Sequence, residues 1–188
     1  MNIEYKVEFF TYWHCGSGLS AGADVDALVV KDNYGLPFVP GKTVKGLLRE
    51  AIEDIAALKA TTLPSDRLFG SSSDEGENIA GELFFSNAEF PDEDKKALEA
   101  NTGHGDTKLK DYLYASLSRT SIDKDGCAKE HSLRKLEVAL PCTLTGVIRN
   151  VPEECVPDVI DGLRFIKRLG ANRNRGLGRC KFSVTQKK

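Results

Sequence analysis

Gly35-Leu36-Pro37-Phe38-Val39-Pro40-Gly41-Lys42-Thr43-Val44-Lys45-Gly46-Leu47-Leu48-Arg49 is the stretch on which the fold turns. Pro37, Pro40 and Gly41 hold the chain out of regular structure, and a helix opens immediately behind them. Val44, Leu47, Leu48, Ala51, Ile52 and Ile55 recur at helical spacing and give that helix one apolar face. Lys42, Lys45 and Arg49 fall on a different face of its first turns. A helix N-terminus carries free N–H groups and a partial positive charge, so this arrangement suits a phosphate. Gly46 would let a ligand approach the helix backbone closely. The segment is not a P-loop, because the GxxxxGK[ST] spacing is absent. An amphipathic helix with solvated basic residues fits the same residues equally well.

Upstream, Ile3, Tyr5, Val7, Phe9, Thr11 and Trp13 alternate with Glu4, Lys6 and Glu8, the period of a strand. A polar loop follows from Gly16 to Asp26, then a short buried strand at Ala27–Val30. Downstream, residues 61–78 read as a loop, Leu83-Phe84-Phe85 as a strand, and about 89–120 as an irregular insertion containing Gly103-His104-Gly105. Two strand-like runs flank Pro141, between Leu133 and Val151. A second helix is expected from about Pro157 to Leu169 with Gly170 as its cap, and a last strand over Cys180–Thr185. The order matches an α+β, ferredoxin-like (RRM-like) βαββαβ core. The expected organisation is one domain over 1–188, with its core at about 1–60, 80–90 and 133–188 and an insertion at about 90–134.

The composition is that of an ordinary globular chain, 40% hydrophobic and 29% charged. No apolar run approaches the roughly 20 residues that span a bilayer. The N-terminus reads as a strand rather than a signal peptide. No membrane association and a cytoplasmic location are therefore expected. The five cysteines are odd in number and scattered, which favours reduced thiols. A net charge of −2 speaks against nucleic acid on average. The distribution differs from the average: residues 162–188 contain no Asp or Glu and many Lys and Arg. Such a segment forms either a focused phosphate-binding surface or a solvated tail. Within it, Arg168-Leu169-Gly170-Ala171-Asn172-Arg173-Asn174-Arg175-Gly176-Leu177-Gly178-Arg179 is a Gly-rich loop filled with Arg and Asn, able to offer guanidinium forks to a nucleic-acid backbone.

These two segments resemble two hallmarks of the RAMP superfamily of CRISPR proteins: an aromatic-(Ile/Val)-Pro-Gly-x-(Ser/Thr)-apolar-Lys-Gly-x-apolar-Arg run and a C-terminal Gly-rich Arg loop. A third match lies between them, Arg119-Thr120-Ser121-Ile122-Asp123-Lys124-Asp125-Gly126-Cys127-Ala128 followed by Leu133-Arg134 and Glu137. In order, the three span nearly the whole chain. Lys42, Ala171 and Lys124 depart from the commonest family residues while keeping charge or small size. Within the superfamily the sequence is most similar to the backbone subunit of type III effector complexes. That resemblance implies a β-hairpin thumb at about Ser118–Arg134 that wedges into a guide–target duplex. It implies guide-RNA contacts from Lys42, Thr43, Lys45, Arg49, Lys124, Arg134, Asn172, Arg173, Asn174 and Arg175. It further implies target RNA, other CRISPR effector subunits and copies of the same chain along the guide as partners.

Asp26-Ala27-Leu28-Val29-Val30-Lys31-Asp32 resembles the Asp-x-apolar-apolar-apolar-(Arg/Lys)-Asp segment of the family's cutting subunit. By that resemblance Asp26 is the catalytic residue, with Asp24 in reserve and Asp32 structural. The implied reaction is a metal-dependent cut, with Mg²⁺ the expected cation, in which a ribose 2′-OH attacks the adjacent phosphate. A carboxylate serves it either by accepting the proton or by holding the cation. Two rivals stand beside this reading. One is a scaffold that binds without cutting. The other is a guide-precursor-processing endoribonuclease using His14. Cys127 and His131, with His104, form a weak zinc pattern that lacks a CxxC partner.

Overall fold

In a computed structural model of the 188-residue chain, all residues are described except 23, 62–63, 73–77, 101–107 and 188. The expected alternation appears in β1 (Asn2–Phe9), where Ile3, Tyr5, Val7 and Phe9 point inward and are at most 2% exposed. Helix α1 (Gly41–Lys59) starts directly after Pro40 and ends where Ala60 turns left-handed. Its entry requires a glycine: a Cβ on Gly41 would lie 2.5 Å from the Phe85 carbonyl oxygen, and the Gly41 N–H donates to Asn87 Oδ1 at 3.0 Å. Then come α2 (Ser65–Phe69), β2 (Gly70–Ser72), β3 (Asn78–Ala80), β4 (Phe84–Phe85), α3 (Asp92–Ala100), β5 (Tyr114–Arg119), β6 (Arg134–Ala139), β7 (Thr143–Arg149), α4 (Val156–Phe165) and β8 (Cys180–Lys187).

The fold is mixed α/β. Four strands form an antiparallel sheet in the order β4-β7-β1-β8. Ile3, Tyr5, Val7, Leu144, Ile148 and Phe182 from this sheet share one core with Val44, Leu48 and Ile52 of α1 and Val159 and Leu163 of α4. Each such side chain taken from water stabilises the fold by roughly 1.5–3 kcal/mol. The two helices approach closely because Gly162 has no side chain: a Cβ there would sit 2.7 Å from Leu48 Cδ1 and 2.8 Å from an Ile52 carbon.

A second layer is built on the hairpin β5–β6, paired from Tyr114↔Ala139 to Arg119↔Arg134. Residues 26–31 run parallel to β6, bridging Ala27 to Leu136, and on their other side Val29 bridges Gly16. Trp13 joins the layers. Its indole N–H donates to the Leu140 carbonyl at 3.0 Å, its backbone bridges Ala139, and its ring stacks on Phe9.

The structure differs from the sequence expectation at four places. Ala27–Val30 makes isolated bridges, parallel to Leu136 and antiparallel to Gly16, rather than a regular strand. Residues 61–78 contain α2, β2 and the start of β3 among those described, where a loop was expected. The described residues of the insertion, expected to be irregular with some helix, form α3, a 3₁₀ turn at Leu109–Leu113 and β5, the strand being the unexpected part. The C-terminal helix stops at Phe165, four residues early, because the chain beyond it pairs with the strand that follows. Leu169 N–H donates to Gly178 O and Cys180 N–H to Lys167 O, both at 2.9 Å.

Candidate nucleic-acid interface

On α1, Lys42 and Gly46 are exposed and Thr43 and Lys45 half-buried. Neither lysine has an ion pair among the described residues, and nothing lies within 4 Å of where a Gly46 Cβ would stand. Open space over a helix backbone flanked by two unpaired ammonium groups is what an approaching phosphate strand requires. Arg49 is different. Its guanidinium donates to Glu53 Oε1 at 2.9 Å, Asp66 Oδ1 at 3.1 Å and the Gly70 carbonyl at 3.1 Å, tying α1 to α2 and β2. Hydrogen bonds from Ser65 and from Arg49 hold the Glu53 carboxyl below its usual range. Arg49 thus stands where the motif predicts, but its donors serve its own chain.

The Gly-rich loop is clamped to the segment after β1. Ala171 N–H donates to the His14 carbonyl and Gly178 N–H to that of Tyr12, both at 2.8 Å. Gly178 has a positive φ of 69°, and a Cβ on it would come within 1.9 Å of the Leu169 carbonyl oxygen, so only glycine fits. Asn172 is left-handed and starts a 3₁₀ turn over Arg173–Arg175. Asn174 and Arg175 are exposed, and Arg175 has no ion pair among the described residues. Arg173 faces Glu50 of α1 at 3.7 Å. A groove between α1 and this loop is lined by Leu47, Glu50, Ala51 and Asp54 on one side and Arg173 and Asn174 on the other. At 100° per residue, Arg49 and Glu53 lie on the opposite flank of α1 from Leu47 and Asp54. The two basic segments are therefore not one patch; they flank the helix, with exposed Gly46 between.

Asp26 stands at the distal end of the hairpin stem, one residue pair below its tip. Its N–H donates to Lys135 O at 2.9 Å, and its Oδ2 accepts the Lys135 N–H at 2.7 Å. The residue is exposed. Two residues along β6, Glu137 accepts the Val29 N–H at 2.9 Å and the Lys31 ammonium at 2.8 Å, and Lys31 lies 4.1 Å from the centre of the Tyr114 ring. Burial, followed by the Glu137 charge, pushes the Tyr114 phenol well above its usual range. Asp32 is structural, as expected: its Oδ1 accepts the Tyr34 and Leu36 N–H groups, both at 2.9 Å. Asp24 is exposed in a turn, its N–H on the Ala21 carbonyl at 3.2 Å.

The hairpin tip carries Lys124, exposed, in a turn where Asp123 Oδ1 accepts the Asp125 and Cys127 N–H groups, both at 2.9 Å. Arg134 is exposed at the stem's end, with one guanidinium nitrogen donating to Leu133 O at 2.9 Å. Ile122 and Leu133 are 71% and 54% exposed, so the tip presents apolar surface to its surroundings.

His14 is buried, 3% exposed, with its Nδ1 on the Glu137 carbonyl oxygen at 2.7 Å. This burial answers the expectation of a His14-based nuclease: the imidazole has no face open to an RNA strand. His104 lies outside the described residues. Among the described residues no group of three His, Cys, Asp or Glu side chains could hold a metal ion, which leaves Cys127 and His131 without a set. Mg²⁺ commonly binds one or two protein carboxylates and takes its remaining ligands from water and substrate phosphate, a role that the exposed Asp26 carboxylate fits. Glu137 went unassigned in the sequence reading; the signal for it is a carboxylate on a strand opposite the backbone of residues 27–29. Among the described residues no helix is long and apolar enough to cross a membrane.

This chain is similar to known proteins both in sequence and in fold. The profile of the RAMP superfamily matches residues 6–181. The Streptococcus thermophilus protein described as CRISPR system Cms endoribonuclease Csm3 is 24% identical over 196 residues, covering 94% of this chain and 87% of that protein. Among solved structures, a chain of the type III-B Cmr-beta complex bound to cognate target RNA superposes with a TM-score of 0.71 at 12% identity, covering 98% of this chain and 97% of that one. A chain of the same complex in its apo state gives 0.70 at 14% identity, covering 99% and 98%.

Proposed function

We propose, from the premise that this chain belongs to the RAMP superfamily, that it is a backbone subunit of a type III CRISPR complex that grips a guide RNA and cuts the target RNA paired with it. The whole chain is read as one RAMP domain. Its sheet order, with the first core strand between the third and the fourth, is that of a ferredoxin-like βαββαβ core, and β5–β6 is its thumb. The likeness to Csm3 over nearly the full length supports this assignment. Lys42, Thr43, Lys45, Asn174 and Arg175 hold the guide backbone, and Arg173 lines the groove beside them. Arg49 positions α1 rather than touching RNA. Such contacts position a strand, and base pairing reads it. Neighbouring subunits and further copies of the chain complete the assembly, with Lys124 and Arg134 of the thumb reaching the duplex.

The observation that carries the cutting role is the place of Asp26: an exposed carboxylate fixed to the β6 backbone immediately below the thumb tip. A thumb that splits the duplex would present the unstacked target nucleotide to that carboxylate. Asp26 accepts the proton of the ribose 2′-hydroxyl, whose oxygen attacks the adjacent phosphorus. The P–O5′ bond breaks and the leaving 5′ oxygen takes a proton from water, giving a 2′,3′-cyclic phosphate and a 5′-hydroxyl. A bound divalent cation would neutralise charge on the phosphate.

The assembled complex is expected to leave these two ends, to need Mg²⁺, and to spare a target carrying a single 2′-deoxynucleotide at the cut site. Cleavage of that deoxy target at the full rate would exclude 2′-hydroxyl attack. The scaffold reading has one observation in its favour, that Asp26 Oδ2 already bonds the Lys135 N–H. It predicts tight guide binding and no cleavage under any metal.

A further inference from the structure

At the base of the Gly-rich loop, whose first and last residues Arg168 and Arg179 it shares, lies a cleft at the end of the sheet, about 460 Å³ in volume, lined by Phe10, Lys167, Arg168, Arg179, Cys180 and Lys181. Backbone pairing brings these residues together. Phe10 N–H donates to Arg179 O at 2.9 Å, Arg168 bridges Arg179, and Cys180 N–H donates to Lys167 O at 2.9 Å. The four cations are exposed, and none has an ion pair among the described residues. Glu8, the register partner of Lys181, makes no ion pair with it either. Four unpaired cations around one cleft repel one another, and an anion relieves that repulsion.

Phe10 gives the cleft its second character. Its neighbour Phe9 is buried and stacked on Trp13, whereas the Phe10 ring is 47% exposed. A lone exposed phenylalanine needs no explanation. One set among four cations that lack ion pairs among the described residues offers a flat apolar face beside positive charge, although Lys167 donates to the Arg164 carbonyl at 2.6 Å. Aromatic platforms beside basic grooves bind single-stranded nucleic acid in this way. An acidic peptide would satisfy the cations but leave the ring unused. The cleft also continues the Gly-rich loop, because Arg168 donates to the Arg173 carbonyl at 3.1 Å.

We propose that this cleft is a subsite for one unpaired RNA nucleotide, its base stacked on Phe10 and its phosphate held by Arg168, Arg179 and Lys181. The inference rests on the guide-binding reading above and adds a stacking contact outside the guide–target duplex.

The test is fluorescence anisotropy of a labelled single-stranded RNA of about eight nucleotides, and of its abasic counterpart, on the purified full chain. Phe10→Ala and Phe10→Leu are expected to weaken the ordinary RNA by about 5- to 100-fold and to leave the abasic one unchanged. Phe10→Trp should retain the affinity. Lys181→Glu should weaken both RNAs. Wild-type affinity in Phe10→Ala would overturn the subsite while leaving the guide-binding reading intact. A wild-type chain that binds no RNA would overturn both. Polyglutamate binding as tightly as RNA and equally sensitive to Phe10→Ala would assign the cleft to an acidic protein partner and overturn the proposal.

Discussion

The Tyr5 hydroxyl is buried with no hydrogen-bond partner among the described residues, at a position where a Cβ on the facing Gly146 would lie 2.4 Å from it. Burial pushes its phenol well above the usual range. A buried polar atom without a partner loses its water bonds and gains nothing in return. Tyr5→Phe should therefore stabilise the protein by about 1 kcal/mol, read as a higher urea midpoint with an unchanged slope; a fall in the midpoint would mean that the hydroxyl has a partner after all. Single residues also mark how far the sequence can be read. Val44, Leu48 and Ile52 declare their burial by spacing, and Asp32 its turn by composition. The partners of Arg49 do not, because Asp66 and Gly70 are distant in sequence and reach it only through α2 and β2. His14 was legible as a histidine after a strand. Its bond to the Glu137 carbonyl, 123 residues away, was not.

Among the elements, those with strong periodicity, β1 and α1, follow the sequence closely. Those built from small or polar residues do not. Strand β5 alternates Tyr114, Ala115, Ser116, Leu117 and Ser118 with little apolar contrast, because the hairpin is half exposed on both sides. It exists through pairing with β6 and through residues 26–31 on the other edge of β6. The end of α4 is likewise set from outside, by the pairing of residues 167–169 with 178–180. The hairpin tip is exposed almost throughout and held by its own Asp123 turn, so it should be removable as a unit. Replacing residues 121–132 with an Asn-Gly turn should leave thermal stability within a few degrees of wild type. Guide binding should survive, and the regular spacing of target cuts on a denaturing gel should be lost. Regular spacing from the shortened hairpin would remove its wedge role.

At the scale of the whole molecule, two layers divide the work. The sheet with α1 and α4 carries the exposed cations proposed to hold the guide. The hairpin with residues 26–31 carries the carboxylate. They meet where Trp13 and His14 bond the hairpin base and the Gly-rich loop together: His14 Nδ1 is on Glu137 O, and its carbonyl accepts the Ala171 N–H. The net charge of −2 conceals this division, since it averages the unpaired cations of the C-terminal segment with carboxylates elsewhere. The separation implies that cutting can be removed without loosening the guide. Asp26→Asn tests this most directly, because the amide oxygen can still accept the Lys135 N–H while no longer taking a proton or holding a cation. In a complex reconstituted with guide, target RNA and Mg²⁺, the account predicts guide affinity within about twofold of wild type and a cleavage rate lower by at least about 100-fold. Cleavage at the wild-type rate in Asp26→Asn would contradict it.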